Sequence, residues 1–210
     1  MYLPQNFRED DVEALHEAMR KIALGTLVTL GEDGLEATPA PMLIDAAPAP
    51  FGTLVGHIAR ANPQWRRLKP EVEALAIFTG PHAYVSPGWY ATKRQTGKVV
   101  PTWNYVAIHA TGRLRFFDDP ERLRGIVTRL TDTHESTRAD RWKVTDAPAD
   151  FIAGMLKAIV GFELTIARLD GKWKMSQNRP EADHAGIVQG LAEAGAPGVA
   201  AIVAEKTGKK

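Results

Sequence analysis

Hydrophobic residues recur at helical spacing in several parts of the chain. Apolar residues within 12–22 follow an i, i+3, i+7, i+10 pattern, with acidic residues just before them. A second such stretch, 123–130, follows Pro120, and a third covers 151–156. These patterns predict three amphipathic helices. A fourth helical region is expected over 180–191, with the Gly, Ala and Lys residues after it only loosely packed.

Alternating apolar and polar positions predict strands over most of the remaining chain. The longest signal runs over 105–117, where even-numbered positions are mostly apolar, and a similar alternation covers 160–175. Residues 23–30 and 35–45 flank an Asp-Gly turn, which predicts a hairpin. Shorter strands are predicted at 53–58, 74–79 and 83–86.

The order of these elements predicts a mainly β fold with peripheral helices. Because the strands follow one another mostly without long helices, a doubly wound α/β fold is excluded and an antiparallel sheet or barrel is favoured. Pro39 and Pro41 each lack a ladder donor, so the second hairpin arm is expected at an edge or with a bulge. With no repeat and no linker-like segment, residues 1–210 are predicted to form a single domain.

Composition narrows the class of protein. The 210 residues contain no Cys, which excludes disulfides, iron–sulfur clusters, thiolate zinc sites and cysteine nucleophiles. Six scattered His and no recognisable ligand spacing predict no metal site. The acidic N-terminus and the lack of a long apolar run predict a cytoplasmic protein without a membrane span.

The charge pattern does not favour DNA binding. The net charge is +1, from 26 basic and 25 acidic residues, which gives no general attraction to phosphates. Basic clusters at 60–69, at 138–143 and in the tail at Lys206, Lys209 and Lys210 are interpreted as solvated faces. No helix-turn-helix with a glycine turn and no basic recognition helix is evident. DNA contact therefore has no support from charge or motif.

The most chemically suggestive segment is GHIARANPQW, residues 56–65. A strand end carrying His57 is followed by Arg60 and by Asn62-Pro63, a pair that favours a helix start. Free N–H groups at that start, with Arg60 and His57 as further donors, would suit a phosphate. The alternative is that Arg60 is a surface residue and His57 an ordinary sheet residue.

Two more segments combine aromatic and polar residues. Five of the nine Trp and Tyr lie in 80–90 and 101–105, where they could pack against a planar ring or fill a core or subunit interface. Residues 174–179, KMSQNR, leave a strand with two cations. This end is either a second clamp on an anion or a plain polar strand end.

These segments, in this order, resemble the PaiB family of FMN-binding negative transcriptional regulators. The matching motifs are MYLP with FR, GHIARANPQW, GPHAYVSPGWY, VPTWNY with AIHATG, IVGFEL and KMSQNRPEAD, which together span nearly the whole chain. The resemblance implies an antiparallel split β-barrel related to pyridoxamine-phosphate oxidases and flavin reductases. It also implies a homodimer that holds FMN at its subunit interface.

The resemblance also implies site residues. The phosphate is expected near Arg60 and Asn62, the flavin ring against residues 38–42 with Trp103 or Trp89 nearby, and a contribution from the partner subunit through residues 174–179. Family members commonly have A-T-H-L-P where this chain has ATPAP, so no role that needs that imidazole carries over. The implied cofactor-binding residues are Thr38, Met42, Gly56, His57, Ala59, Arg60, Asn62, Trp103, Lys174, Gln177 and Arg179.

Three functions remain open from the sequence. The first is an FMN-binding homodimer that regulates transcription, as the family resemblance implies. The second is a flavin-dependent oxidoreductase, in which FMN supplies the redox chemistry. The third is a haem-binding protein with His57, His82 or His109 as an axial ligand.

Overall fold

The computed structural model describes residues 1–208 of the chain, which contain seven strands and seven helices. Single 3-10 turns occur at Gln5–Phe7, Pro87–Trp89 and Val144–Asp146. The strands are β1 Arg8–Glu9, β2 Leu24–Gly31, β3 Gly34–Asp45, β4 Thr53–Ala59, β5 Ala74–Val85, β6 Thr102–Phe117 and β7 Ile159–Lys174. The helices are α1 Val12–Ile22, α2 Gln64–Arg67, α3 Lys93–Thr96, α4 Pro120–Glu135, α5 Ala149–Leu156, α6 Glu181–Glu193 and α7 Pro197–Gly208.

The strands form one sheet in the order β1-β7-β4-β3-β2-β5-β6, and β7 also pairs with β6. The pairings β2–β3, β3–β4, β2–β5 and β4–β7 are all antiparallel. The additional β7–β6 pairing brings the sheet back on itself. The predicted antiparallel α+β fold of the split-barrel type is confirmed.

The chain divides into two compact units. Unit 1 contains Met1–Asp11, Thr79–Ile108 and the chain from Asp170 onward, and unit 2 contains Val12–Phe78 and His109–Leu169. The core of unit 2 is built from side chains such as Leu27, Leu54, Phe78, Phe162 and Leu164, all 1% exposed or less. The core of unit 1 includes Val85, Met175, Ile187, Leu191 and Val203.

The prediction of an edge or a bulge is wrong for β3 as a whole, which is an internal strand between β2 and β4, but the segment with Pro39 and Pro41 pairs only with β2. The pairing of β3 with β4 runs only from Met42–Gly56 to Asp45–Thr53. Met42 N–H donates to Ala23 O, just before β2. Backbone groups that face β2 alternate along the antiparallel strand β3, so the nitrogens of Pro39 and Pro41 face away from β2. The prolines therefore end the pairing with β4 rather than moving the strand to an edge.

Two other expectations also change. The two short strands predicted at 74–79 and 83–86 form the continuous strand β5. The tail after α6 forms the helix α7, which buries Val199 and Val203, so the prediction of loose packing is wrong for its described part. Lys209 and Lys210 lie outside the described residues. No helix within residues 1–208 combines the length and apolar character needed to cross a membrane.

Candidate cofactor site

Arg60 stands directly after β4 in unit 2 and is tied to the chain between α5 and β7. Its backbone N–H donates to Ala158 O at 2.8 Å, and its side chain donates from Nε to Lys157 O at 2.8 Å and from Nη2 to Ile159 O at 3.1 Å. Nη1 lies 3.5 Å from Asp118 Oδ2. Each Nη atom keeps a further N–H, so the clamped guanidinium still has donors for an anion.

Asn62 joins the chain before α2 to β3. Its Nδ2 donates to Thr38 Oγ1 at 2.8 Å, and its Oδ1 accepts from Gln64 N–H at 3.0 Å. Asn62 thus accepts an N–H at the start of α2, but the N-cap residue is Pro63 rather than Asn62, and α2 is a single turn. A single turn has little macrodipole, so anion binding at this point depends on side chains such as Arg60.

Met42 and Gly56 face each other across β3 and β4 in unit 2. Met42 is buried, and a Cβ at Gly56 would lie 2.6 Å from Phe162 Cζ and 2.7 Å from Pro41 O. Packing thus requires glycine at this position. Gly56 can therefore contact a cofactor only through its backbone.

The remaining predicted residues of β4 differ in exposure. Ala59 is exposed at the end of the strand, and His57 is partly buried. Burial lowers the pKa of His57 from its ordinary value of 6.5, because a low-dielectric environment disfavours the imidazolium. His57 is therefore a neutral imidazole near pH 7, with one ring nitrogen as donor and the other as acceptor.

Sequence reasoning missed Gln64, which is 1% exposed. Its Nε2 donates to Thr29 Oγ1 at 3.0 Å and approaches Leu27 O at 3.2 Å and Glu36 O at 3.3 Å. Its Oε1 is buried without a partner in the described chain. Gln64 thus links β2 and β3, a role that depends on tertiary contacts and left no signal beyond its place in the NPQW motif.

Three cations of unit 1 lie at the end of β7 and just after it, and no carboxylate within residues 1–208 pairs with them. They are Lys172, Lys174 and Arg179, called here the cationic cluster. Lys174 Nζ donates to Thr102 Oγ1 and, at 2.6 Å, to Trp103 O. Burial, together with the charges of Lys172 and Arg179, lowers the pKa of Lys174. Uncompensated charge of this kind favours an anionic ligand.

An aromatic patch on β5 and β6 of unit 1 adjoins this cluster through Trp103. The patch consists of His82, Tyr84 and Trp103, of which Tyr84 and Trp103 are 48% and 49% exposed. The Trp103 indole N–H donates to His82 Nδ1 at 3.3 Å, and Tyr84 packs edge-on at 6.2 Å between ring centroids. The patch offers an exposed π surface beside positive charge.

Two other residues named from the sequence have mainly structural contacts in unit 1. Gln177 Oε1 accepts from Met175 N–H at 2.7 Å and its Nε2 donates to Trp173 O at 2.6 Å, which closes the turn after β7. Trp89 packs on α6, where a Cβ at Gly190 would lie 2.2 Å from the indole. Of the two tryptophans expected near the flavin ring, only Trp103 belongs to the exposed patch.

Residues 1–168 match the family model described as "Putative FMN-binding domain". The chain belongs to this FMN-binding family. A relative from Bacillus subtilis, "Protease synthase and sporulation protein PAI 2", is 30% identical over 91% of this chain and 89% of its own length, and confirms the resemblance to PaiB. An uncharacterized protein of Emericella nidulans, AN0679, is 33% identical over 93% of this chain and 92% of its own length.

The fold of this FMN-binding protein is also found in solved structures. The "FAD and Heme binding protein from Mycobacterium smegmatis" superposes with a TM-score of 0.58 at 18% identity, over 80% of this chain and 73% of that chain. At this identity the likeness concerns the fold. It supports the split-barrel architecture described above.

FMN is the cofactor of this protein, and the residues present fit it. Its phosphate is a dianion near neutral pH, and its isoalloxazine ring is planar. In unit 1, the cationic cluster suits a phosphate and the aromatic patch suits a planar ring. In unit 2, the free N–H groups of Arg60 suit a phosphate. The predicted residues thus fall into two groups, Thr38 to Asn62 in unit 2 and Trp103 to Arg179 in unit 1.

Proposed function

We propose that this protein is a cytoplasmic FMN-binding homodimer of the PaiB type that acts in negative regulation of transcription. The observation that carries the proposal is the juxtaposition of the cationic cluster with the exposed aromatic patch. Cations without carboxylate partners attract a phosphate, and exposed indole and phenol rings can stack on a flat ring; FMN supplies both a phosphate and a planar ring. We also propose that residues 1–210 form a single domain.

The same surface supports a dimer. Trp103, Tyr84 and Val100 are large apolar side chains with about half or more of their surface exposed. Contiguous exposed apolar groups of this kind mark interaction sites. In the proposed arrangement, Lys174 and Arg179 of one protomer reach the FMN whose phosphate lies near Arg60 of the other.

Regulation is proposed to be indirect. Four of the eight described basic residues considered for DNA are paired with carboxylates: Arg60 with Asp118, Arg67 with Asp33, Arg138 with Glu135 and Lys206 with Glu9. Such pairs leave little net charge for phosphates. We therefore expect the regulator to act through a partner or through the state of its flavin.

The helices α6 and α7 are joined by a three-residue turn with Gly195 at φ +80°. The second helix of this pair is unsuited to base readout. Within the described chain, the exposed positions of α7 are small or apolar apart from one acid: Pro197, Gly198, Ala201, Ala204, Glu205 and Gly208.

When bound, FMN supplies one- and two-electron redox chemistry. The chain's own residues bind and orient it: Lys174 and Arg179 attract the anionic group, Trp103 covers the ring, and Arg60 donates from its free N–H groups. His57 adds a neutral imidazole to the same strand as Gly56. Steady oxidation of a reduced nicotinamide would favour the oxidoreductase interpretation, and a Soret band the haem interpretation.

The proposal is tested by comparing K174M with the control K93M, a lysine exposed on α3. Flavin affinity is measured by FMN fluorescence quenching, and oligomeric state by light scattering on the same samples. K174M should lose about tenfold in FMN affinity, and dilution to monomer should release the flavin. Equal affinity in both variants, or a monomer that binds FMN as tightly as the dimer, would contradict the proposed site.

A further inference from the structure

A polar cavity of about 380 Å³ lies in unit 1, lined by residues from the N-terminus, β7, α6 and α7. Its volume falls in the range of small-molecule sites. Of the residues assigned to FMN, only Gln177 takes part in the lining, and both ends of its amide are used by the backbone of the turn after β7. The other lining residues are Asn6, Arg8, Glu9, Trp173, His184, Lys206 and Thr207.

His184 is the unusual member of this lining. It is 9% exposed, and its Nε2 is buried without any hydrogen-bond partner within residues 1–208. Buried polar groups in native proteins are nearly always paired, because leaving one unpaired costs free energy. Because His184 belongs to the cavity lining, its unpaired imidazole nitrogen calls for a partner that residues 1–208 do not supply.

The charges around the cavity select the kind of partner. Lys206 Nζ lies 2.7 Å from Glu9 Oε2, so these two charges neutralise each other. Arg8 remains, and its pair with Asp10 is exposed and therefore weak in water. The lining thus has two cations to one carboxylate, and an anionic group is favoured.

Trp173 supplies the apolar side of the cavity. The residue is 9% exposed, and Lys206 Nζ lies over its ring, 5.6 Å from the ring centroid. A ligand that contacts this wall needs a flat or aliphatic body. A small carboxylate with such a body meets both requirements.

We infer that this cavity binds a small carboxylic acid, with its carboxylate held by His184 and Arg8 and its apolar body against Trp173. The inference is independent of the flavin site. It concerns a second ligand, and its variants are expected to retain FMN. The ligand would give this protein a sensor function in addition to its cofactor.

The test uses benzoate, phenylacetate and hexanoate as probes, with benzamide as the neutral isostere of benzoate. Binding is followed by quenching of tryptophan fluorescence and by calorimetry on the FMN-loaded protein. At least one acid should bind saturably, and benzamide should bind about tenfold more weakly than benzoate because it lacks the charge-assisted hydrogen bonds.

Variants decide whether the named residues carry the binding. H184L should weaken binding of the acid by about tenfold. H134L, the same change at an exposed histidine of α4, should leave binding of the acid unchanged. R8Q at the exposed rim gives a second variant that does not touch the core and should weaken binding several-fold. FMN retention and the melting temperature are measured on every variant, so a loss of the flavin site is recognised separately.

The inference is overturned if none of the three acids binds saturably to the wild-type protein. It is equally overturned if acid and amide bind alike, or if R8Q and a folded H184L bind the acid as tightly as the wild type. Loss of FMN in K174M together with unchanged acid binding would support two separate sites. Loss of the acid together with retained FMN in H184L would do the same.

Discussion

Replacing Arg60 by methionine should lower both stability and flavin affinity, and the structure separates the two effects. The side chain makes two hydrogen bonds to the backbone carbonyls of Lys157 and Ile159. Such bonds contribute about 0.5–1.5 kcal/mol each when buried. Because the Arg60 side chain is 32% exposed, solvent screens part of this contribution, and about 1–2 kcal/mol is the expected total.

That loss corresponds to a fall in melting temperature of roughly 2–8 °C for a chain of this size. The effect on FMN is larger, because losing the contact with a phosphate removes charge-assisted hydrogen bonds worth about 1.5–3 kcal/mol, or ten- to a hundredfold in affinity. Arg66 provides the matched control. It stacks on the Trp65 ring at 4.7 Å and is exposed.

The assay combines urea unfolding without cofactor with FMN titration of the folded protein. R60M should be less stable than R66M and should bind FMN at least tenfold more weakly. D118N, which removes the carboxylate 3.5 Å from Nη1, should strengthen FMN binding by no more than about threefold, since the pair is exposed. A less stable R60M with unchanged FMN affinity would show that Arg60 only clamps the backbone and would refute its cofactor role.

Three further predictions concern the rest of the molecule. Q64M should lower the free energy of unfolding by about 1–3 kcal/mol in urea titration, because Gln64 links β2 and β3, whereas Q95M on exposed α3 should have no effect. G190A should cost about 1–3 kcal/mol and shift the tryptophan emission, since its methyl group would meet the Trp89 indole. Folding lowers the pKa of His57, so the unfolded chain takes up the proton first as the pH falls. The free energy of unfolding should therefore decrease as the pH drops below 6.5. In H57N this pH dependence, measured as the urea midpoint at each pH, should be smaller.

Most of the fold could be predicted from the sequence because its signals are local. The alternation along β6 and β7 and the Asp-Gly turn between β2 and β3 each depend on neighbours in the chain. The helix α7 could not be predicted in this way. Its Ala and Gly residues have no clear amphipathic pattern, and the helix is stabilised by burying Val199 and Val203.

The candidate site could be predicted in its parts but not in its connections. The motif residues Arg60 and Lys174 were identified from their charge and their place at strand ends. That Arg60 also holds two carbonyls depends on a chain segment about a hundred residues away, and that Lys174 donates to Thr102 and Trp103 depends on one about seventy residues away. Tertiary contacts of this kind leave no local pattern.

The central claim is that the folded chain holds FMN, and a visible absorption spectrum after gel filtration tests it most directly. The purified protein is mixed with excess FMN, passed over the column to remove free ligand, and scanned across the flavin bands. Flavin absorption that coelutes with a dimer, in equal molar amounts to the chain, is the predicted result. Flavin that elutes entirely with the free ligand, from protein that is folded, would contradict the account.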